Sequence, residues 1–240
     1  MTPQTSSIKK LVQAYNSIRP RIKERLAEFR NLHKGKDEKI FSELSFCILT
    51  ANANATRCND AIKELEKEGL LLNGHARQIR PKLKGRARFH NKKADYIVEA
   101  RKLFKIPCHC EAAKPRPFFG KGGTKRPKQS LFRLLRRLRP PRNDDLRDWL
   151  VENVKGFGYK EASHFLRNIG LGQDTAILDR HILKNLKRLG VIDRFPASIG
   201  SRRVYLDIED MMRRFSHKTG IPLEELDLLF WSLETGFVFK

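Results

Sequence analysis

The chain has 240 residues, 40% of them hydrophobic, which is enough to bury a real core and excludes a disordered tail. Its 50 lysines and arginines against 27 acids leave a formal net charge of +23, so a polyanion is the natural partner, nucleic acid before an acidic membrane surface. Apolar runs such as Phe46 to Leu49 are too short to span a bilayer, and Met1 to Ser7 lacks the charged-then-apolar layout of a signal peptide. A soluble cytoplasmic protein is expected. The 4 cysteines form no disulfide framework and no C-x2-C pair, leaving Cys108 and Cys110 around His109 as a weak metal clip and reduced thiols as the plainer reading.

In chain order, almost every segment has helical period. Ile8 to Leu32 is amphipathic but interrupted by Pro20, predicting two helices or one kinked helix. Asp37 is placed to cap a helix whose stripe is Ile40, Phe41, Leu44, Cys47, Ile48 and Ala51. Ala55 to Lys67 forms another, closed by Gly69, and Ala94 to Phe104 a third. Ser201 to Lys218 and Leu223 to Leu233 predict long helices, the second opened by Pro222 in its first turn. No stretch alternates like a strand, so the fold class is mainly α.

Charge is uneven along the chain. His75 to Lys93 holds 8 lysines and arginines and no acid, a candidate phosphate-contact segment that includes Arg88 and Lys92. Arg101 to Arg142 holds 14 with one acid, Glu111, and 6 of the 11 prolines. Residues 106–129 within it predict a basic Pro/Gly-rich loop or insertion. Leu131, Leu134, Leu135 and Leu138 then mark a helical stripe.

Residues 144–189 carry the most information. A short helix begins at Asp144 or Asp145 with Leu146, Trp149, Leu150 and Val154 inside, breaks at Gly156-Phe157-Gly158, and resumes at Tyr159 or Lys160. Two glycines around one apolar residue allow a tight turn that aims backbone N–H groups of the next helix outward, suited to a DNA phosphate. This is a helix-hairpin-helix pattern, with Gly156 and Gly158 as its DNA-contact positions. Lys160 then falls in a helix's first turn, where the helix dipole and a basic surround favour the neutral amine. A lysine with an ordinary pKa of about 10.4 must lose its proton before it can attack. Asp179 precedes the stripe Ile182, Leu183, Leu186 and Leu189 and reads locally as an ordinary N-cap.

The run Val154 to Gly170 followed by Ala176 to Leu183 closely resembles the archaeal-type 8-oxoguanine DNA glycosylase/AP lyase family of the helix-hairpin-helix glycosylase superfamily. The resemblance extends to Leu44–Asn52, to Arg88–Ala94 and to the terminal Trp231–Lys240, in family order, and covers most of the chain outside 106–129. It implies two helical subdomains with the active site in the cleft between them. It also implies Lys160 and Asp179 as the catalytic pair and Lys240 as the residue that helps tell 8-oxoguanine from guanine. Trp231, with Phe237 and Phe239 nearby, offers a stacking face for the base, although Trp231 and Phe230 also suit a helix core.

The expected partner is double-stranded DNA containing oxidised guanine, with no membrane, no cofactor and no metal, acted on by a monomer associated with the nucleoid through DNA. The expected divisions are 1–105 as an N-terminal helical region, 106–129 as the basic loop, and 130–240 as the hairpin-bearing catalytic region. His164 and His181 are expected to be structural. A non-catalytic helix-hairpin-helix DNA-binding protein, a basic RNA-binding or ribosome-associated protein, and a glycosylase for another damaged base are the competing possibilities.

Overall fold

A computed structural model describes residues 3–104 and 144–240, with side chains from residue 6. Eleven helices and no strand occur among the described residues. The loop at 106–129, Cys108, His109, Cys110 and the stripe from Leu131 to Leu138 lie outside them. The described residues form two compact units. One gathers 3–35, 144–153 and 157–240, and the other 36–104 with 154–156.

In the first unit, helix α1 (Pro3–His33) runs unbroken through Pro20. Pro20 supplies no N–H to the Asn16 carbonyl, a loss of roughly 3 kcal/mol in a helix interior. Burial offsets it: Leu11, Tyr15, Ile22, Leu26 and Phe29 all face the core of this unit. There they meet α9 (Arg180–Arg188), α10 (Arg202–Thr219) and α11 (Leu223–Thr235). Tyr15 also donates to Glu225 at 2.6 Å, and burial raises its phenol to about 12. The remaining helices of this unit are α7 (Asp144–Asn153) and α8 (Tyr159–Asn168). Pro222 stands one position before α11, at its cap, instead of inside the first turn.

The second unit holds α2 (Asp37–Thr50), α3 (Ala55–Lys67), α4 (Leu70–Asn73), α5 (Ala76–Leu83) and α6 (His90–Phe104). Lys36, not Asp37, occupies the cap of α2, and Asp37 opens the helix with its charge at the positive end of the dipole. The stripe expected for α2 is buried apart from the half-buried Ala51, and Phe41 meets Phe104 edge-on at 5.3 Å. Asn54 caps α3 by accepting from Arg57 N–H at 3.0 Å. The helices α4 and α5 are too short for periodicity to reveal.

Two cations of this unit are structural. Lys93 is buried and donates to the Leu49 and Ala51 carbonyls at 2.8 and 2.6 Å, closing the C-terminal end of α2. Arg101 donates to the carbonyls of Leu70, Leu71 and Gly74, and burial lowers its pKa to about 10. No helix among the described residues is long and apolar enough to cross a membrane.

Candidate active site

The hairpin lies between α7 and α8. Gly156 has φ +88°, and a Cβ there would lie 2.8 Å from the Tyr96 ring, so both the backbone and the space require glycine. Phe157 is buried and meets Phe165 at 6.3 Å, which ties the turn to the helix that follows. Gly158 has ordinary extended backbone, and its N–H donates to Glu161 Oε2 at 3.2 Å. That hairpin amide is therefore engaged within the chain, unlike the outward-facing donor expected from the glycine pattern. Lys160 follows as the second residue of α8, half-buried. Its ammonium lies 3.1 Å from Glu161 Oε1, so a carboxylate stands beside it where a basic surround was expected.

A segment held mostly by side chains leads from α8 to Asp179. Gly172 packs so closely on Arg167 that a Cβ would approach its backbone nitrogen at 2.6 Å. Ala176 N–H donates to Glu209 Oε2 at 2.8 Å, and the Ala176 carbonyl accepts from Tyr205 Oη at 2.6 Å. Leu178 N–H donates to the same Tyr205 oxygen at 3.2 Å. Glu209 is itself held by Arg147, which reaches its two oxygens at 2.7 and 3.1 Å and also donates to Ser163 on α8. Buried backbone groups outside a helix need partners, and α10 supplies these. The segment ends at Asp179, half-buried, whose Oδ1 accepts from Ile182 N–H at 2.8 Å. Asp179 is thus the N-cap expected of it, and Ile182, Leu183, Leu186 and Leu189 are all buried behind it.

The C-terminal tail folds back toward α8. Helix α11 ends at Thr235, with Gly236 in the left-handed conformation. Beyond it Phe239 stacks on Trp231 at 5.8 Å while Phe237 meets Trp231 edge-on at 5.3 Å. Trp231 is half-buried, whereas its neighbour Phe230 is a core residue. His164, one turn along α8 from Lys160, lies beside the Lys240 backbone. Burial and the nearby charges of Arg167, Lys160 and Lys240 hold its imidazole well below the usual histidine range, so it is neutral. Beneath these groups Arg167 and Asp227 pair at 3.2 Å with both side chains buried. Burial pushes the Asp227 carboxyl up to about 7 against the pull of Arg167.

A half-buried amine, a half-buried carboxylate and an aromatic tail that carries Lys240 therefore belong to one unit. The chain matches the family model described as 8-oxoguanine DNA glycosylase over residues 22–221. A protein of Fusobacterium nucleatum named 8-oxoguanine DNA glycosylase/AP lyase is 41% identical over 228 residues, covering 94% of each chain. The protein of the same name from Methanocaldococcus jannaschii is 38% identical, over 97% of this chain and 99% of its own. The chain belongs to the 8-oxoguanine DNA glycosylase family. The fold agrees: a crystal structure of the Methanocaldococcus jannaschii 8-oxoguanine glycosylase/lyase with a 15mer DNA containing 8-oxoguanine superposes with a TM-score of 0.80 at 36% identity, over 98% of this chain and 100% of that one. The 8-oxoguanine DNA glycosylase of Thermotoga maritima gives 0.80 at 33% identity, over 99% and 100% of the two chains.

For a glycosylase-family chain, the second unit holds the other residues of interest. Of the cations in His75 to Lys93, Arg80 pairs with Asp95, Lys82 with Glu64 and Glu68, and Arg86 with Glu64. Arg77, Lys84, Arg88 and Lys92 remain exposed, and none of these four has an ion pair among the described residues. Next to Arg88 stands Phe89, 59% exposed at φ +56°, with the guanidinium 5.4 Å from its ring centre. An exposed aromatic in the left-handed region is costly on both counts, and only its local context of cations could have marked it in the sequence.

Glu161, Arg167 and Asp227 are the further site residues that the sequence did not single out. Each reads there as an unremarkable helical charge. His181 is half-buried on α9, and no group of three or more potential ligands able to hold a metal occurs among the described residues.

Proposed function

We propose that this chain removes 8-oxoguanine from double-stranded DNA and then cleaves the strand on the 3′ side of the abasic site, with Lys160 as nucleophile and Asp179 as the carboxylate beside the sugar. The observation that carries the proposal is that Lys160 and Asp179 each sit half-buried at the start of a helix in the same unit, with Lys240 close to His164 of the Lys160-bearing helix.

A base inside a duplex is out of reach, so the nucleotide must first leave the stack at a cost of a few kcal/mol. Arg77, Lys84, Arg88 and Lys92 supply phosphate contacts, as do the remaining free N–H groups of the turn from Gly156 to Lys160. Phe89 has the exposure to fill the gap left in the stack. In the pocket Trp231 offers a ring face to the base. Lys240 carries an ammonium that can sense the altered dipole distinguishing 8-oxoguanine from guanine.

The chemistry then needs Lys160 as a free amine. Its proton must go, and with it the pairing to Glu161. As the bond from C1′ to the base breaks, its electron pair leaves with the base, which takes up a proton. Positive charge grows on the sugar, and the Asp179 carboxylate stabilises it. The Lys160 nitrogen bonds to C1′, the ring C1′–O4′ bond opens, and an imine results. That imine acidifies the C2′ proton. Loss of this proton expels the 3′ phosphate by β-elimination, and water finally hydrolyses the imine to free the lysine.

Both residues lie in one chain, and a monomer suffices for the reaction. The enzyme acts in the cytoplasm on nucleoid DNA. The decisive experiment is borohydride trapping on a duplex with a single 8-oxoguanine. Wild type should give a covalent adduct and Lys160→Gln none, while both bind the duplex. Base release without an adduct would mean a water-using glycosylase, and neither adduct nor release would leave a DNA-binding module.

A further inference from the structure

The reaction just described gives Phe239 no task, although its ring is stacked on Trp231. We propose that Phe239 is a positioning residue for recognition of the damaged base, docking on Trp231 and so holding the adjoining Lys240 in place. This rests on the function proposed above and deepens its recognition step. Were α11 to continue, residue 239 would stand about 12 Å along the axis from Trp231. Instead the helix stops at Thr235, and Gly236 takes φ +87° with open space where a Cβ would lie, so only the backbone requires glycine there. The Gly236 N–H closes the last turn on the Ser232 carbonyl at 2.7 Å. Thr235 Oγ1 lies 2.9 Å from the Trp231 carbonyl and 3.3 Å from that of Phe237, which ties the returning chain to the helix it has left.

Three rings then close on one another. Phe239 lies 26° from parallel to Trp231 with centres 5.8 Å apart, and Phe237 stands at 90° to the same indole at 5.3 Å. The two phenylalanines meet edge-on at 5.8 Å. Offset-stacked and edge-on pairs are the arrangements that ring quadrupoles favour. Val238, between the phenylalanines, packs instead against the core of the unit. The base of this clamp is fixed as well: Glu234 bonds Lys184 at 2.5 Å and Asn185 at 3.3 Å, both on α9, the helix that Asp179 caps. Consecutive Cα atoms are about 3.8 Å apart, so a seated Phe239 confines the lysine that follows it. The ordering cost of Lys240 is then met when the chain folds and not when the base arrives, which favours recognition. A base stacking on Trp231 must use the face that Phe239 leaves.

The test is a double-mutant cycle of wild type, Phe239→Ala, Lys240→Ala and the double variant. Circular dichroism checks folding. Single-turnover rates are measured for base release from an 8-oxoguanine duplex and for strand cleavage at a ready-made abasic site, which holds no base for Lys240 to read. Phe239→Ala should slow base release on the order of 10-fold, the upper scale for a lost aromatic pair, and slow abasic-site cleavage by less. Phe239→Tyr, which keeps the ring, should restore most of the loss. The double variant should release base no more slowly than Lys240→Ala alone, because the ring acts through the lysine. Additive losses would overturn the proposal by showing that Phe239 acts independently of Lys240. Equal slowing of both reactions, the mark of a general packing role, would overturn it too, as would an unchanged rate of base release in Phe239→Ala. Absence of base release from wild type would refute the function instead, which keeps the two failures apart.

Discussion

Replacing Arg147 with methionine should unsettle the segment that carries Asp179 without touching the reacting groups. Arg147 is 1% exposed by side chain, and its guanidinium bonds Glu209, Ser163 and Asp144. Methionine fills much of the volume but takes the guanidinium bonds at 2.7 and 3.1 Å away from Glu209, itself 0% exposed, which keeps Ala176 N–H at 2.8 Å and Arg213 at 3.4 Å among its partners. Breaking a buried ion pair by removing one partner costs about 3–5 kcal/mol, and the Arg213 contact that Glu209 keeps sets this case toward the lower end. For a chain of this size, that corresponds to a fall in melting temperature of roughly 6–20 °C.

The double variant Arg147→Met/Glu209→Leu removes the buried carboxylate as well and should recover part of the loss. Recovery stays incomplete because Ala176 N–H then has no acceptor, a buried deficit of about 1–3 kcal/mol. Thermal unfolding followed by circular dichroism gives the stabilities, and single-turnover base release at a temperature where all variants are folded gives the activity. The single variant melting within 2 °C of wild type (about 1 kcal/mol or less) would refute this account of how the segment is held. So would a double variant less stable than the single one.

Three further outcomes follow from the same structure. Asp179→Asn should keep its fold, since asparagine caps helices well, yet release base about 10²–10³-fold more slowly; normal turnover would reduce Asp179 to a cap. Phe89→Ala should leave the melting temperature nearly unchanged, because the ring is 59% exposed, while lowering the excision rate from duplex more than from single-stranded DNA, as measured under single turnover; equal losses would remove Phe89 from the stack-filling role. Gly156→Ala should destabilise the chain by about 1 kcal/mol or more, from strain at φ +88° and the clash with Tyr96, and weaken duplex binding in a fluorescence titration; a neutral result would show that the turn can rearrange freely.

Local chemistry was legible in the sequence. The break at Gly156-Phe157-Gly158, Lys160 at the head of α8 and Asp179 as the cap of α9 all depend on residues a few positions apart, where turn geometry, capping and helical period operate. The resemblance of separated motifs supplied the family, which composition and charge could not.

Other features needed the chain to fold. Pro20 predicted a possible break in α1, but packing of residues on both sides of it keeps one helix. The basic stretch from His75 to Lys93 reads as one uniform surface, yet Lys93 is buried against carbonyls and Arg80, Lys82 and Arg86 are paired. Arg147 and Glu209 are 62 positions apart, and Arg167 and Asp227 lie on different helices; nothing in the periodicity of either helix announces its partner. Local preferences determine where helices start, stop and turn, because those energies come from neighbouring residues. Which charges reach solvent and which are consumed in the interior is decided by tertiary packing, because burial sets the cost of each unpaired charge and only folding brings distant partners together.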